Sequence, residues 1–571
     1  MRGGRVPHHV PGRRVSIPGF GTTASRGDVD ASVYRCGPYL RRVMGQVCGR
    51  LLMVCMSLGA TLYGAAQQNN VPLQRDFYTG VERNAAAVGE RIHTGLKPVL
   101  QNRVDVTNAL GHVVDSAKYY YWITQRIFKD HLLEIKGEDF RLTADVLFQF
   151  EVGYEKGDRT IYADTNRFYS NVRGAWFTGD IGKKLSFQTF VQEHQSIAPQ
   201  YLFLQTSAVG TISGQGRVKI DRRRILDYGW SEGNISYTPI PWFNIQFGHG
   251  KHFVGHGYRS VLLSDHAVNA PYLKFSALSP DRRLQYSTWL SKTESGVNNG
   301  DRLPTGQSAE SLFHWRRARF NHLSVDLGRV QVGLFESTIF EDIDSSGVKP
   351  FDALELNPVI GINTLARGFD GPEKTVVGLD LRVKLTDKGY VYGQFAADDP
   401  GGERYALQAG IRWFDVVRPG VNLQVEYNSA TPFMYTHRST RSAYEHAGLP
   451  LAHPMGAYFN EFVALAEALV GRYGAQVKVV TATYHRDPSA QETYGSDLRR
   501  TDREVPGPLG PVVQDLLHLD VSANYLFNPK TNMRGYLGFQ RRSLSHAADT
   551  QQSGMFYLGI RTSIFNRYYD I

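Results

Sequence analysis

The chain has 571 residues with a formal net charge of +10, and 42% of its residues are hydrophobic. A mean hydropathy of −0.33 excludes a bundle of transmembrane helices, because each helix would need about 20 consecutive apolar residues. The 57 glycines, 31 tyrosines and 30 phenylalanines instead suit strands that are apolar on one face only.

The positive charge is concentrated at the N-terminal end. Residues 1–66 contain nine arginines and two aspartates, a net charge of +7, whereas the later residues have 55 basic and 52 acidic side chains. The later part shows no basic patch of the kind that binds nucleic acid, so nucleic acid is not expected as a partner. All three cysteines also precede residue 67, so no disulfide and no thiolate metal site is expected after it.

A secretory leader is predicted over residues 44–66. A basic residue, an apolar run and a group of small residues follow one another there, which is the order of a signal peptide cleaved after Ala66. The alternative, a buried helix, does not explain this order. Residues 1–43 are polar and rich in glycine and arginine, which a signal peptide does not need. We therefore predict that translation starts at Met44 and that residues 1–43 are a non-native upstream extension.

Residues 67–139 have a mixed pattern. Trp122, Ile123, Ile127 and Phe128 are close to helical spacing. The segment is predicted to form a few short helices and a plug-like domain on the periplasmic side.

From about Phe140 the apolar residues alternate with polar ones. In one segment the apolar positions are Val377, Leu379, Leu381, Val383 and Leu385, and the residues between them include Asp380, Arg382 and Lys384. The alternation recurs at 421–428, 517–525 and 556–564. It is typical either of a soluble sandwich, whose apolar face points at a core, or of a membrane barrel, whose apolar face points at lipid.

Three features favour the barrel. The chain has a secretory leader, its strands run about ten residues, and they persist to the last residues of the sequence. Charged side chains on the polar faces also suit a wet or plugged interior. The predicted fold is all-β, a large antiparallel transmembrane barrel over residues 140–571 in the cell outer membrane, in contact with its lipid.

One segment interrupts the alternation. Residues 455–474 follow a long loop rich in proline and glycine. Their apolar side chains share one helical face: Phe459, Phe462, Val463, Ala466, Leu469 and Val470. A helical insertion is predicted here.

No catalytic motif is present: there is no G-x-S-x-G, no H-E-x-x-H and no Walker loop. Four histidines lie close together in the sequence, at His249, His252, His256 and His266. Imidazole binds zinc, copper and nickel, but this spacing fits no zinc signature. They are weak metal candidates, and a structural or ligand-lining role is favoured. No catalytic residue, metal or cofactor is predicted.

Several segments, taken in order, are similar to known barrels. They are 70–78, 92–98, 214–219, the histidine-rich segment running into 257–265, 451–457, and 528–532 with 565–570. Together they resemble the gliding-motility RemB family and the related capsule-assembly (Wzi-like) outer-membrane barrels. The histidines at 252, 256 and 266 depart from that family, where amide or acidic residues are expected. The resemblance implies some 16 to 18 strands, N-terminal helical elements on the periplasmic side and no enzyme activity.

The resemblance also implies a role at the cell surface: capsule or exopolysaccharide attachment, adhesion, or association with gliding and secretion machinery. Aromatic side chains beside arginine can stack on and hydrogen-bond sugars. Tyr258, Arg259, Asp265 and Tyr272 are therefore the candidate ligand-binding residues. Two alternatives stay open, a diffusion channel with an open lumen and an outer-membrane hydrolase.

Overall fold

The computed structural model describes residues 68–104, 121–156, 167–298, 313–344, 347–399, 401–489, 491–501, 508–547 and 549–571. The predicted upstream extension (1–43) and signal peptide (44–66) lie outside these residues.

A closed antiparallel barrel of 18 strands is formed within the described residues. In chain order its strands are β1 (Phe140–Lys156), β2 (Arg167–Ile181), β3 (Leu185–Ile197), β4 (Leu226–Ile240), β5 (Phe243–Gly250), β6 (Ala270–Leu278), β7 (Leu284–Asn298), β8 (Phe313–Asp326), β9 (Val330–Glu341), β10 (Lys374–Thr386), β11 (Gly389–Ala397), β12 (Tyr405–Trp413), β13 (Val421–Ala430), β14 (Phe459–Val470), β15 (Tyr473–Arg486), β16 (Val512–Asn528), β17 (Met533–His546) and β18 (Asp549–Thr562).

The barrel closes where the last strand pairs with the first. In β18, Gly554 lies opposite Lys156 and Arg561 lies opposite Gln149 of β1. Every strand is therefore paired on both sides. In lipid this is necessary, because an unpaired sheet edge would leave peptide groups without hydrogen-bond partners. The predicted all-β transmembrane barrel and its range of strand numbers are confirmed.

The two faces of each strand differ as the sequence predicts. In β10, Leu379 and Leu381 are exposed on the outer face, whereas Asp380, Arg382 and Lys384 are buried inside. A non-polar outer face and a polar inner face are what a bilayer requires of a barrel.

The two ends of the barrel carry connections of different length. At one end the turns are short, for example 182–184, 387–388 and 471–472. At the other end the connections include long loops at 251–269 and 431–458. We refer to these as the short-turn end and the long-loop end.

The helices are short and are not part of the barrel wall. They are α1 (Arg75–Ala86), α2 (Trp122–Phe128), α3 (Gln200–Val209), α4 (Ala353–Leu356) and α5 (Ile362–Arg367), with 3-10 turns at Gln101–Arg103 and Thr440–Ser442. Smaller strands are Leu133–Lys136 beside β1, Lys219–Ile220 beside β4, and the pairs Leu96–Lys97 with Phe253–Val254, Ile343–Asp344 with Gly347–Val348, and Glu445–His446 with Leu449–Pro450. No helix of the described residues is long and apolar enough to cross a bilayer.

The barrel interior is filled by four parts of the chain, which we call the lumenal segments: residues 68–104, 251–269, 431–458 and 563–571. Their apolar side chains pack with inward-facing wall residues into two buried clusters. One cluster includes Leu262, Tyr435, Trp289 and Phe320, and the other includes Tyr78, Phe565, Trp176 and Trp230.

The helical insertion predicted at 455–474 is wrong. Residues Phe459–Val470 form strand β14, which pairs with β13 on one side and β15 on the other. The alanines and leucines of this segment favour a helix locally. The two neighbouring strands outweigh that preference, because a helix here would leave both of their edges unpaired in lipid.

The lipid-facing side of β10 provides a test of the barrel. Leu381 and Leu385 point outward and are 40% and 42% exposed, but Leu385 lies next to the short-turn end. Arginine at Leu381 is expected to cost about 2–4 kcal/mol, whereas Leu385→Arg costs about 0–1 kcal/mol near the interface. Denaturant unfolding in lipid vesicles measures both. Equal losses at the two positions would contradict the assigned membrane depth.

Candidate functional site

The histidine-rich loop 251–269 lies inside the barrel, against the inner wall. At Gly257 a Cβ atom would come within 2.5 Å of a Glu426 carboxylate oxygen, so any larger residue would push this carboxylate away from the loop. The same carboxylate accepts the backbone N–H groups of Tyr258 (2.6 Å) and Arg259 (2.9 Å). A wall side chain thus fixes the loop backbone directly beside the predicted ligand-binding pair.

Arg259 is fully buried and lies between a wall strand and residues 563–571. Its guanidinium Nη2 is 3.1 Å from Glu461 of β14, and Nη1 is 3.3 Å from the Asp570 carboxylate. Nη2 also donates to the backbone oxygen of Asp570 at 2.9 Å. We call this group, with Lys478, Tyr258 and His453, the Arg259 junction.

Asp570 receives two further contacts. Lys478 of β15 lies 3.0 Å from its carboxylate, and the Tyr258 hydroxyl donates to it at 2.5 Å. Burial alone would raise the pKa of Asp570, but the Arg259 and Lys478 cations outweigh burial and hold that pKa well below its ordinary value. Burial and the Asp570 charge raise the pKa of Tyr258 to about 12. The tyrosine therefore stays protonated and donates.

Loop 431–458 reaches the same place. The His453 imidazole lies 2.8 Å from the second oxygen of Glu461. Two tyrosines of this loop donate to backbone oxygens of loop 251–269: Tyr435 to Val261 at 2.6 Å and Tyr444 to Leu262 at 2.8 Å. The two long loops are therefore joined by buried hydrogen bonds.

The N-terminal lumenal segment completes the filling. In α1, Glu82 pairs with Lys97 at 2.9 Å and with Arg412 of β12. The Arg75 guanidinium lies 4.0 Å from the centre of the Tyr258 ring, a cation–π contact. Residues 68–104 are thus tied both to the wall and to the Arg259 junction.

The structure brings three of the four predicted ligand-binding residues together, but around residues 563–571. Tyr258 and Arg259 contact Asp570, and Asp265 accepts from Asn566 at 2.9 Å and from the Tyr568 hydroxyl. Tyr272 lies apart and packs edge-on against His252. Arg259, Asp265 and Tyr272 are all buried. Their assignment as ligand-binding residues stays a prediction.

The four histidines do not converge. His252 stacks on Trp289, His266 packs edge-on against Tyr568, and His249 faces the backbone oxygen of Ser231. His256 lies 3.3 Å from Thr94 and 3.3 Å from Asp380, and all three side chains are buried. Within the described residues no group of three or more histidine, cysteine or acidic side chains is arranged to hold a metal.

A cavity of about 210 Å³ remains inside the barrel. It lies between residues 563–569 and the inner faces of β15–β18, β1 and β2, and it is bordered by Tyr258, Tyr536 and Tyr557. Two of its carboxylates already accept from tyrosine hydroxyls: Glu151 from Tyr536 and Asp520 from Tyr557.

Three arginines of the cavity lack a carboxylate partner. Within the described part of the chain, Arg75, Arg561 and Arg567 make no ion pair, and the buried Nε atoms of Arg75 and Arg561 have no hydrogen-bond partner. Arg561 of β18 also lies directly opposite Arg534 of the neighbouring strand β17. The wall at this position therefore presents positive charge to the cavity.

Sequence reasoning located Tyr258, Arg259 and Asp265 but missed their partners. Glu461 lies in the segment interpreted as a helix, and Asp570 lies beyond the last strand. The unusual buried charge of these partners becomes visible only when residues distant in sequence are brought together.

Comparison with known proteins finds no matching family model and no matching curated protein. Among solved structures, the chain is similar to Wzi of Escherichia coli, described as an outer-membrane protein involved in group 1 capsule assembly and a carbohydrate-binding β-barrel. The identity is 14%, the match covers 88% of this chain and 100% of Wzi, and the TM-score is 0.50. The similarity to OprD of Pseudomonas aeruginosa has 10% identity, covers 74% and 94% of the two chains, and has a TM-score of 0.38.

At 14% identity the similarity to Wzi concerns the fold. A closed barrel with a non-polar outer face and a polar interior is the architecture of outer-membrane proteins. The chain is an outer-membrane β-barrel.

The Arg259 junction predicts a large difference between two arginine substitutions. Arg259→Ala leaves Glu461 and Asp570 buried without their shared cation and is expected to cost about 3–5 kcal/mol. Arg283→Ala is the control, because the Arg283–Asp281 pair is more than half exposed and such pairs contribute about 0–1 kcal/mol. Urea unfolding in detergent measures both. A loss at Arg259 as small as at Arg283 would contradict the assigned role.

The lowered pKa of Asp570 predicts a pH dependence. A carboxyl group with a lowered folded-state pKa contributes stability above its unfolded pKa of about 3.9, and this contribution is lost as pH falls through the folded-state pKa. Arg259, Lys478, Tyr258 and His518 face this carboxyl group. The stability difference between the wild type and Asp570→Asn should therefore stay constant from about pH 8 to about pH 5 and shrink below about pH 4. Unfolding curves that diverge further in acid would rule out this linkage.

Proposed function

We propose that this protein is a plugged outer-membrane barrel that binds acidic surface polysaccharide and does not act as an open pore. The observation that carries the proposal is the occupied lumen. Four lumenal segments meet inside the wall and are joined by the buried contacts of the Arg259 junction. An open channel instead needs a continuous solvated path.

The long-loop end is proposed to face the cell exterior, since the longer loops of outer-membrane barrels are extracellular. A basic hairpin at residues 219–224 lies at this end, between β3 and β4. Asp221 accepts the backbone N–H groups of Arg223 (2.7 Å) and Ile225 (2.9 Å), which fixes the turn. Lys219, Arg222 and Arg223 are exposed, and none of them forms an ion pair with the described residues.

This hairpin suits a polyanionic glycan. Guanidinium groups form paired hydrogen bonds with carboxylates, and clustered positive charge attracts an acidic polymer. The fold similarity to Wzi supports attachment of capsule or exopolysaccharide as the role. Association with gliding or secretion machinery stays a prediction of the sequence resemblance, and no residue is proposed to be catalytic.

Planar-bilayer conductance tests the plugged lumen. The wild-type barrel is expected to show no steady conductance, because the lumenal segments occupy its interior. Deletion of residues 564–571 removes Asp570 and the chain that Arg259 holds, and should produce measurable openings. A steady open pore in the wild type would overturn the plugged-barrel proposal.

The basic hairpin is tested by charge reversal. Arg222→Glu combined with Arg223→Glu should weaken binding of the detergent-solubilised barrel to immobilised alginate by about tenfold, or about 1.4 kcal/mol. Arg418→Glu is the control, since Arg418 is also exposed but lies in the turn between β12 and β13 at the short-turn end. Dextran serves as the neutral glycan. Equal alginate binding by the hairpin variant and the wild type would contradict this site.

A diffusion channel is the second candidate function. The cavity beside β15–β18 favours a diffusion channel, because residues near both ends of the barrel line it: Arg534 near the short-turn end and Pro199 near the long-loop end. Its three unpaired arginines would favour anionic solutes. The conductance measurement separates the two candidates.

A further inference from the structure

The connection between β9 and β10 folds back over the outside of the barrel. Its residues 347–373, which we call the strap, include α4 and α5. The wall residues beneath the strap face outward: Asn321 and Glu336 lie opposite each other on neighbouring strands, on the same face as the exposed Leu334 and Leu379. The strap therefore covers the side of the wall that faces lipid elsewhere.

The wall under the strap is polar, which a lipid-facing wall cannot be. The Glu336 carboxylate accepts the N–H of Gly361 at 2.8 Å, and the N–H and hydroxyl of Thr364 at 3.0 and 2.6 Å. Asn321 donates to it at 3.2 Å. Both wall side chains are 1% exposed. The strap thus supplies the partners that this outward-facing carboxylate would not find in hydrocarbon.

Arg317 of β8 is covered in the same way. It pairs with Glu355 of α4 at 2.6 Å and with Asp342 at 3.0 Å, and it donates to the Lys349 backbone oxygen at 3.2 Å. The Phe351 ring lies 4.6 Å from its guanidinium carbon. A cation on the outer wall is thereby neutralised and enclosed.

A third anchor lies further towards the short-turn end. Tyr286 is near the start of β7, and its hydroxyl donates to the Pro358 backbone oxygen and accepts the Ile360 N–H at 3.2 Å. The strap therefore extends along the wall well past the barrel rim.

The outer surface of the strap is apolar. Its large exposed side chains are Val348 (79% exposed), Phe351 (59%), Leu356 (59%), Val359 (53%), Ile362 (41%) and Leu365 (85%). Arg367 and Asp352 of the strap pair with each other, and the exposed Asp370 lies near the end of the strap, just before β10. Contiguous apolar side chains with this exposure are unfavourable in water.

We propose that the strap lies in the bilayer, where its inner face neutralises the polar outer wall and its apolar outer face contacts lipid acyl chains. Lipid is the expected contact of the strap because the strap adjoins the lipid-facing part of the wall. Leu334 and Leu379 of that part lie beside Glu336 and its neighbour Val377. Without the strap, Glu336 and Arg317 would face hydrocarbon, which is strongly unfavourable for each charged group. The barrel wall thus carries a polar region that its own loop seals.

A pair of spin-labelled variants tests this proposal. Leu365 is 85% exposed in the strap, and Val417 is 86% exposed in a short turn that faces water. The full chain, with Cys36, Cys48 and Cys55 replaced by serine, would carry Leu365→Cys or Val417→Cys with a nitroxide label in phospholipid vesicles. Oxygen concentrates in lipid, and a nickel chelate stays in water. We expect oxygen to relax the label at 365 more than nickel does, and the reverse order at 417.

Two outcomes would overturn the proposal. Nickel access at 365 equal to that at 417 would place the strap in water. Exclusion of both reagents at 365 would show that protein, such as a second copy of this chain, covers the strap.

Charge substitution provides a second measurement. Leu365→Asp should shift the unfolding midpoint in vesicles to lower denaturant concentration, whereas Val417→Asp should leave it unchanged. Equal midpoints for the two variants would contradict lipid contact at the strap. If Leu365→Asp does not insert at all, the spin-label result still decides.

Discussion

Arg259 is a cation buried inside a membrane barrel, and the filled interior depends on how its charge is neutralised. A barrel of 18 strands encloses more space than inward-facing side chains alone can fill. In this chain two long loops, the N-terminal segment and residues 563–571 occupy that space. Glu461 and Asp570 neutralise Arg259, and they come from the wall and from residues 563–571 respectively. A single guanidinium therefore fixes three parts of the chain relative to one another.

Charged side chains on the outside of the wall also need partners that neutralise them. Inside, charges face other chain segments and need individually matched partners, because little water remains. Outside, hydrocarbon imposes the same demand on Glu336 and Arg317, and the strap meets it with backbone N–H groups and Glu355. Loops of this protein thus satisfy polar wall residues on both faces of one sheet. The wall and its loops form one structural unit.

The sequence predicts what is local and misses what is not. Alternation in segments such as Val377–Leu385 reveals strands and their lipid-facing side, because the period of two is a property of each strand by itself. The segment Phe459–Val470 misleads, since its alanines and leucines suit a helix until two neighbouring strands pair with it. Tyr258 and Arg259 were recognisable as unusual, but their partner Asp570 lies more than 300 residues later. No short-range pattern contains that contact.

The lumenal segments leave one part of the interior unfilled, the cavity beside β15–β18. Charges at the Arg259 junction are matched and buried. In the cavity beside β15–β18, Arg561 lies opposite Arg534, and among the described residues Arg534 pairs with Asp76 whereas Arg561 makes no ion pair. Two arginines side by side are unfavourable unless water or an anion screens them. The unmatched charge and the remaining space therefore belong to the same side of the barrel. A solute in this cavity would contact this wall, and residues 563–569, which border the cavity, are held in place by the contact of Arg259 with Asp570.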